Sequence, residues 1–150
     1  VIPSMQATHA TSDKNMAEDR LGPVRIQGAY AWRKLLDSGA RIANGSDFPV
    51  EHPNPFYGLH ASVTRQDQQS NPPGGWYSEE SMTLEEALAS FTIDAAYAGH
   101  QEAHLGTLEP GKKADFILLD RDIFSQPTTQ MWQTQVQETW VDGVRVSAQN

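Results

Sequence analysis

The spacing of apolar residues predicts alternating strands and helices in the first part of the chain. Residues 1–6 and 40–45 are short apolar runs of the kind that form buried strands. The first run is followed by a polar loop over residues 9–22. Apolar positions then recur every three or four residues, which predicts a helix over residues 25–38 that ends before Gly39. A strand, a loop, a helix and a second strand in this order predict one β/α crossover of a parallel sheet.

The next stretch combines a proline-rich segment with a strong helix start. Residues 52–80 include four prolines and several aromatic residues, and we predict that they form a long, ordered active-site loop. Thr83 and Glu86 have the types and spacing of a capping box, in which each side chain accepts a hydrogen bond from the other residue's backbone N–H. This start and the apolar spacing after it predict a helix from Thr83 to about Gln101.

The last 45 residues carry strand signals instead. Residues 106–111 have turn residues around a short strand, and residues 114–120 contain a continuous apolar run. Residues 136–146 alternate between apolar and polar side chains around Asp142-Gly143, a pair that is typical of a two-residue hairpin turn. We therefore predict an all-β segment after the β/α part of the chain.

The charge and cysteine content exclude several classes of function. The 150 residues include 11 Lys and Arg against 19 Asp and Glu, a net charge of −8, and an acidic surface repels nucleic acid and anionic membranes. No apolar run reaches the roughly 18 residues of a membrane span, and no signal segment opens the chain. We therefore expect no nucleic-acid or membrane partner, and the cytoplasm is favoured although the compartment stays open. The absence of cysteine excludes disulfides, thiolate catalysis and cysteine-ligated metals.

Nine short phrases, spread in order over nearly the whole chain, resemble one family of enzymes. Together they are similar to amidohydrolase family 3, the YtcJ-like metal-dependent hydrolases that include N-substituted formamide deformylases. Each phrase alone is too short to be specific, and the ordered set carries the resemblance. The phrases are Ser4-Met-Gln6, His9-Ala-Thr-Ser-Asp13, Gly28-Ala-Tyr-Ala-Trp32, Gly45-Ser-Asp-Phe-Pro-Val-Glu51, Asn54-Pro-Phe56, Thr64-Arg-Gln-Asp67, Thr83-Leu-Glu-Glu-Ala87, Phe91-Thr-Ile-Asp-Ala-Ala96 and Leu108-Glu-Pro-Gly-Lys-Lys-Ala-Asp115.

The resemblance implies an α/β fold, the C-terminal part of a (β/α)8 TIM barrel followed by part of a small β-sandwich. Residues 1–104 would belong to the barrel, with residues 1–6 as strand seven, 40–46 as strand eight and 83–102 as the closing helix. Residues 105–150 would contribute the C-terminal strands of the sandwich. Such a barrel needs about 250 residues, so the resemblance implies that the chain is a C-terminal fragment.

Asp47 is the first catalytic candidate, because it directly follows a predicted strand. At the carboxyl end of a barrel strand, a carboxylate faces the position where barrel enzymes do their chemistry. The resemblance implies that Asp47 contacts the metal and accepts a proton from a metal-bound water, whose pKa a divalent ion lowers to about 7. The residues alone leave open an Asp that accepts hydrogen bonds from turn amides before Pro49.

Three further residues are candidates for binding the substrate. His9 follows the first strand and has the chemistry to donate a hydrogen bond to a substrate or an oxyanion; the alternative is a loop histidine that bonds to backbone. Gln6 lies at the end of that strand, and Arg65 has the charge to hold a carboxylate or a carbonyl. Weaker candidates, whose types are more often structural in loops, are Asp13, His52 and His60.

The sequence lacks the histidine motifs of a complete metal site. Neither His-x-His nor His-Glu-x-x-His occurs, and one carboxylate does not hold a catalytic zinc, which takes three protein ligands. The resemblance implies a divalent metal, with zinc expected, whose other ligands lie on strands upstream of Val1. We therefore expect this fragment by itself to be inactive and to bind no metal tightly.

These features lead to two hypotheses of different classes. The first is a metal-dependent amidohydrolase that cleaves a non-peptide C–N bond in a small amide or formamide, with hydrolysis of another bond or a lyase reaction on the same scaffold as alternatives. The second is a non-catalytic truncated or assembly module. Because a partial barrel leaves strand edges and helix faces without neighbours, we also expect a homo-oligomer.

Overall fold

A computed structural model describes residues 1–148 of the chain. Its first sheet has two parallel strands, β1 (Ser4–Met5) and β2 (Ala43–Asn44), which pair with Ser4 opposite Ala43. The predicted parallel crossover is therefore confirmed, although only two residues of each predicted strand take part in the pairing.

Three helices connect β1 to β2, where the sequence predicted one. They are α1 (Ala7–Asp13), α2 (Ala17–Arg25) and α3 (Trp32–Asp37), with a 3-10 turn at Ile26–Gly28. The predicted polar loop over residues 9–22 is wrong because α1 and α2 occupy most of it, and the predicted helix over residues 25–38 is too long. Gly22 has a φ of +74° and breaks α2 before Pro23, and Tyr30 has a φ of +52°, so the helical path is interrupted twice before α3.

Residues 52–80 are not one continuous loop, because helix α4 (Pro55–Thr64) lies within them. Asn54 Oδ1 accepts a hydrogen bond from the Phe56 N–H at 3.0 Å, and Pro55 takes the first helical position, where no N–H donor is required. The long-loop prediction is therefore wrong, because the prolines at residues 53–55 mark a helix start.

The capping box is confirmed, and the helix that it starts is interrupted. Thr83 Oγ1 accepts from the Glu86 N–H at 3.2 Å, and Glu86 Oε2 accepts from the Thr83 N–H at 2.8 Å. The predicted single helix consists of α5 (Leu84–Phe91) and α6 (Ile93–Ala98). Thr92 separates them with a φ of −123° and a ψ of −96°, which lie outside the helical region.

The C-terminal part contains an antiparallel sheet in the order β3-β4-β5. The strands are β3 (Phe116–Leu119), β4 (Val136–Val141) and β5 (Val144–Ala148), and further 3-10 turns lie at Ser78–Glu80 and Thr128–Gln133. Asp142 and Gly143 have φ values of +51° and +75°, as this hairpin turn requires, so the hairpin is confirmed. The strand predicted at residues 106–111 is wrong, because both terminal glycines have positive φ and the segment forms turns. Residues 149–150 of the predicted β segment lie outside the described residues.

Most of the apolar core lies in the first hundred residues, and Ile123 and Met131 of the C-terminal part belong to it as well. Its large buried side chains include Trp32, Ile42, Phe56, Leu59, Trp76 and Met82. Helix α4 packs against both α1 and α5, so it supports the helix that follows β1. Within residues 1–148, no helix combines the length and apolar character that crossing a membrane requires.

Candidate active site

Two predicted site residues meet where the parallel strands end. The carboxyl ends of β1 and β2 lie at one edge of the sheet, which is the edge where α/β proteins bind ligands. His9 lies in the first turn of α1, directly after β1, and Asp47 follows β2 by three residues. His9 Nε2 is 3.4 Å from Asp47 Oδ2. The structure therefore brings together the catalytic candidate and one of the substrate-binding candidates.

Asn44, at the end of β2, fixes the two segments that carry this pair. It is 9% exposed, and its Oδ1 accepts hydrogen bonds from the Ala7 N–H at 3.3 Å and the Gly45 N–H at 3.0 Å. Ala7 begins α1, and Gly45 leads into the turn of Asp47. The Asn44 Nδ2 donates to Ser62 Oγ of α4 at 3.3 Å. One buried side chain thus connects both strand ends to α4.

Neither Asn44 nor Ser62 was predicted as a site residue from the sequence. The available signal for Asn44 was an amide within an otherwise apolar strand, because a buried polar side chain requires hydrogen-bond partners. Ser62 had no comparable signal, because it lies in α4, within the segment that was predicted to be a loop.

The His9 imidazole keeps free hydrogen-bonding capacity. Its Nε2 is within ion-pair distance of Asp47, but the two groups are not aligned for a hydrogen bond, and Nε2 is buried without a hydrogen-bond partner among residues 1–148. A buried polar atom in this state costs free energy unless a water or a substrate atom supplies the bond. The Asp47 side chain is 47% exposed, so small molecules have access to its oxygens.

The backbone of Asp47 closes the turn that presents its carboxylate. Asp47 has a φ of +56°, in the left-handed region that few residues other than glycine adopt. Its carbonyl accepts a hydrogen bond from the Val50 N–H at 2.8 Å. Within the described chain, the Val50 N–H bonds to the backbone carbonyl of Asp47 and not to its side chain, whose carboxylate contacts His9. The turn therefore leaves the carboxylate available for chemistry.

Gln6 and His9 line one cavity of about 270 Å³, together with Tyr30 and Trp32. The Tyr30 hydroxyl donates a hydrogen bond to Asp13 Oδ2. Burial, together with the hydrogen bond and the charge of Asp13, raises the pKa of Tyr30 to about 12. The weak candidate Asp13 therefore holds Tyr30 in the cavity wall, while Gln6 lies beside His9 and stays a predicted substrate-binding residue.

Arg65 is fully buried and bonded inside the fold. Its Nε donates to the Trp76 carbonyl at 2.8 Å, its Nη1 donates to the Tyr30 carbonyl at 3.1 Å, and its guanidinium lies 4.2 Å from the centre of the Trp32 ring. Burial lowers the pKa of Arg65 to about 10. Because this value is still well above neutral pH, the group is charged at pH 7. Arg65 does not line the cavity described above, and its role in substrate binding stays a prediction.

The two histidines of the predicted loop have contacts that are structural. His60 is 1% exposed, with Nδ1 3.1 Å from the Thr128 carbonyl oxygen and Nε2 3.2 Å from the Asp67 carbonyl oxygen. The exposed His52 has its ring centre 4.7 Å from that of Tyr57. The contacts of His60 connect α4 to the segment that follows it and to the 3-10 turn at Thr128–Gln133.

The described residues do not form a complete metal site. Among residues 1–148, no group of three His, Asp or Glu side chains is arranged to hold a metal ion. His9 and Asp47 offer two donors, whereas a catalytic zinc takes three protein ligands and keeps one position open. The described chain by itself therefore does not fit a catalytic metal.

Known proteins resemble the chain in sequence. It matches the Amidohydrolase family over residues 1–147. It is 29% identical over 139 residues to the putative amidohydrolase YtcJ of Bacillus subtilis (strain 168), covering 93% of this chain and 26% of that protein. It is 34% identical over 112 residues to the N-substituted formamide deformylase of Arthrobacter pascens, covering 75% of this chain and 20% of that protein.

The fold also resembles a solved structure. The crystal structure of an uncharacterized metal-dependent hydrolase from Pyrococcus horikoshii OT3 matches with a TM-score of 0.73 and 26% identity, covering 85% of this chain and 26% of that one. The chain thus spans only 20% to 26% of the length of these three proteins. Because the family match extends over nearly every residue, the resemblance seen in the sequence is confirmed, and the chain belongs to the Amidohydrolase family.

Proposed function

We propose that this chain is part of a metal-dependent hydrolase that cleaves a C–N bond other than a peptide bond in a small amide-like substrate. The observation that carries the proposal is the contact of His9 with Asp47 at the carboxyl ends of two parallel strands. Membership of the family and similarity to a formamide deformylase support the type of reaction and the type of bond.

We also propose an architecture for the whole protein. Residues 1–104 form the last β/α units of a (β/α)8 barrel, and residues 105–148 contribute strands to a small β-sandwich. The parallel pairing of β1 with β2 across helices and the likeness to the Pyrococcus hydrolase support this assignment. In such a barrel the active site lies at the carboxyl ends of the strands, which is the end that carries His9 and Asp47.

Asp47 acts as the general base in this proposal. A water molecule beside its exposed carboxylate gives up a proton to Asp47, and the water oxygen bonds to the carbonyl carbon of the substrate. The C–N bond then breaks, its electron pair stays with nitrogen, and Asp47 returns the proton to that nitrogen. The products are a carboxylic acid, which is formic acid in the case of a formamide, and an amine.

His9 and Gln6 hold the substrate for this step. The unpartnered His9 Nε2–H donates a hydrogen bond to the carbonyl oxygen as negative charge builds up there. Gln6, on the wall of the same cavity, binds the substrate amide. We expect the whole protein to bind a divalent metal, with zinc expected, and we assign Asp47 as one of its ligands. The described residues alone do not complete a metal site.

The test is Asp47→Asn in the whole protein, because an amide does not accept the proton of water. The substrate is an N-substituted formamide, and the release of formate and of the amine is measured. We expect kcat to fall by about 10²–10⁴-fold, with unchanged far-UV circular dichroism. Asp37→Asn is the matched control, since Asp37 is exposed and its contact with Arg33 at 3.6 Å is a weak surface ion pair.

An Asp47→Asn variant that keeps more than about a tenth of the wild-type turnover would refute the general-base role. A wild-type protein that releases no formate would refute the proposed substrate class. A whole protein that turns over no amide of any kind would favour the non-catalytic alternative.

A further inference from the structure

A second cavity, of about 420 Å³, lies between α1, the turn that follows Asp47 and α4. Its walls include Thr8 and Ser12 of α1, Glu51 of the turn and Tyr57 of α4. The lining is polar: besides Tyr57, its titratable side chains are Glu51, Asp67, His52 and His60, and no Lys or Arg side chain of the described chain contributes to it. A cavity of this size accommodates a small molecule.

Thr8 shows that this cavity has an unmet hydrogen-bonding requirement. The residue is 9% exposed, and its Oγ1 is buried with no hydrogen-bond partner among residues 1–148. Most buried hydroxyl groups in proteins have a partner, because a buried polar group without one costs free energy. A ligand with a hydrogen-bonding group at this position supplies the missing bond.

The charges around the cavity favour a cationic ligand. Glu51 Oε1 accepts a hydrogen bond from Ser12 Oγ at 2.6 Å, and Glu51 has no salt-bridge partner among the described residues. The other lining carboxylate, Asp67, is neutralised by Lys14, whose Nζ is 2.5 Å from its Oδ2. One uncompensated carboxylate, in a lining that also includes Tyr57, attracts an ammonium group and repels an anion.

The cavity adjoins the pair that we place in the reaction. His9 and Ser12 lie three residues apart on α1, and they contact Asp47 and Glu51, which lie four residues apart in the turn. The cavity therefore lies within about one helical turn of the residues that we place in the reaction. We propose that the cavity receives the amine product of C–N cleavage as an alkylammonium ion, held by Glu51 and Thr8. The source of the amine rests on the proposed function, whereas the preference for ammonium does not.

Binding of three ligands of nearly equal size to the whole protein tests the proposal. Propylammonium, 1-propanol and propionate are compared by saturation-transfer difference NMR titration at neutral pH. We expect propylammonium to bind at least about tenfold more tightly than 1-propanol, and propionate not to bind, because a charged partner strengthens a hydrogen bond. In Glu51→Gln the preference for ammonium over alcohol should disappear, and Thr8→Val should weaken ammonium binding by about fivefold.

Glu85→Gln is the matched control, because Glu85 is an exposed carboxylate at the start of α5, outside the cavity lining. It should leave the preference unchanged. Equal binding of propylammonium and 1-propanol, or an undiminished preference in Glu51→Gln, would overturn the inference. Either result leaves the general-base role of Asp47 standing, since that role is measured by turnover of Asp47→Asn and not by amine binding.

Discussion

Replacing Asn44 by Leu tests whether one buried amide holds the two halves of the site together. Leu has a similar size but makes no hydrogen bonds. Two buried groups, the Ala7 N–H and Ser62 Oγ, lose the partner that Asn44 supplies. The Gly45 N–H keeps its second acceptor, the Met5 carbonyl at 3.1 Å. The perturbation therefore acts on the start of α1 and on its connection to α4.

The expected cost follows from these two groups. A buried donor or acceptor left unpaired costs about 1–3 kcal/mol, so two cost about 4 kcal/mol. Burial of the apolar Leu side chain recovers about 2 kcal/mol. The net loss of about 2 kcal/mol corresponds to an equilibrium constant for local unfolding of α1 that is about 30-fold larger.

Hydrogen–deuterium exchange with mass spectrometry on the whole protein measures this loss segment by segment. Peptides covering α1 should exchange about 30-fold faster in Asn44→Leu, while peptides covering β4 should not change. Asn15→Leu is the control, because Asn15 is exposed and its replacement should alter stability by less than about 0.5 kcal/mol. Unchanged exchange in α1, or equal acceleration in α1 and β4, would refute the assignment of this role to Asn44.

The remaining predictions concern an ion pair, the metal and the strand edges. Hydrogen bonds from the Arg33 guanidinium hold the pKa of Glu86 below its usual value, so the pair stabilises the fold above the unfolded-state pKa and loses this contribution as pH falls through the lower folded-state pKa. Glu86→Gln should therefore lower the free energy of unfolding by about 1 kcal/mol at pH 7, and urea titrations should show the difference shrinking below about pH 4. The dialysed 150-residue chain should retain less than about 0.1 equivalent of zinc by elemental analysis, because a catalytic site takes three protein ligands; near one equivalent would contradict this. The same chain should self-associate through the open edges of β1 and β2, and light scattering that shows a stable monomer at micromolar concentration would refute this proposal.

Sequence motifs that involve only residues close together in the chain predicted their helix start and hairpin turn correctly. The capping box needs only Thr83 and Glu86, and the hairpin turn needs only two adjacent residues that tolerate positive φ, Asp142 and Gly143. The meeting of His9 with Asp47 was also within reach of the sequence, because parallel strands present their carboxyl ends at one edge.

Features that depend on distant segments were out of reach. Helix α1 is polar on its exposed side, and the proline at the start of α4 resembles a loop signal until Asn54 is recognised as its cap. Two tryptophans and two carbonyls from separate parts of the chain contact the buried guanidinium of Arg65. The role of Asn44 likewise depends on Ser62 of α4. The amide in its strand indicated a buried polar group, but local patterns did not indicate its partners.

The central claim is that His9 and Asp47 act together in one chemical step, with Asp47 as the general base and His9 as the donor to the carbonyl oxygen. A double-mutant cycle on kcat/KM tests it most directly. His9→Gln, Asp47→Asn and the double variant of the whole protein are compared with the wild type, using an N-substituted formamide as substrate. Because residues that act as a unit are non-additive, the double variant should be no slower than Asp47→Asn alone, which should lose about 10²–10⁴-fold. Losses that multiply in the double variant, or an Asp47→Asn protein within about tenfold of the wild type, would contradict the account.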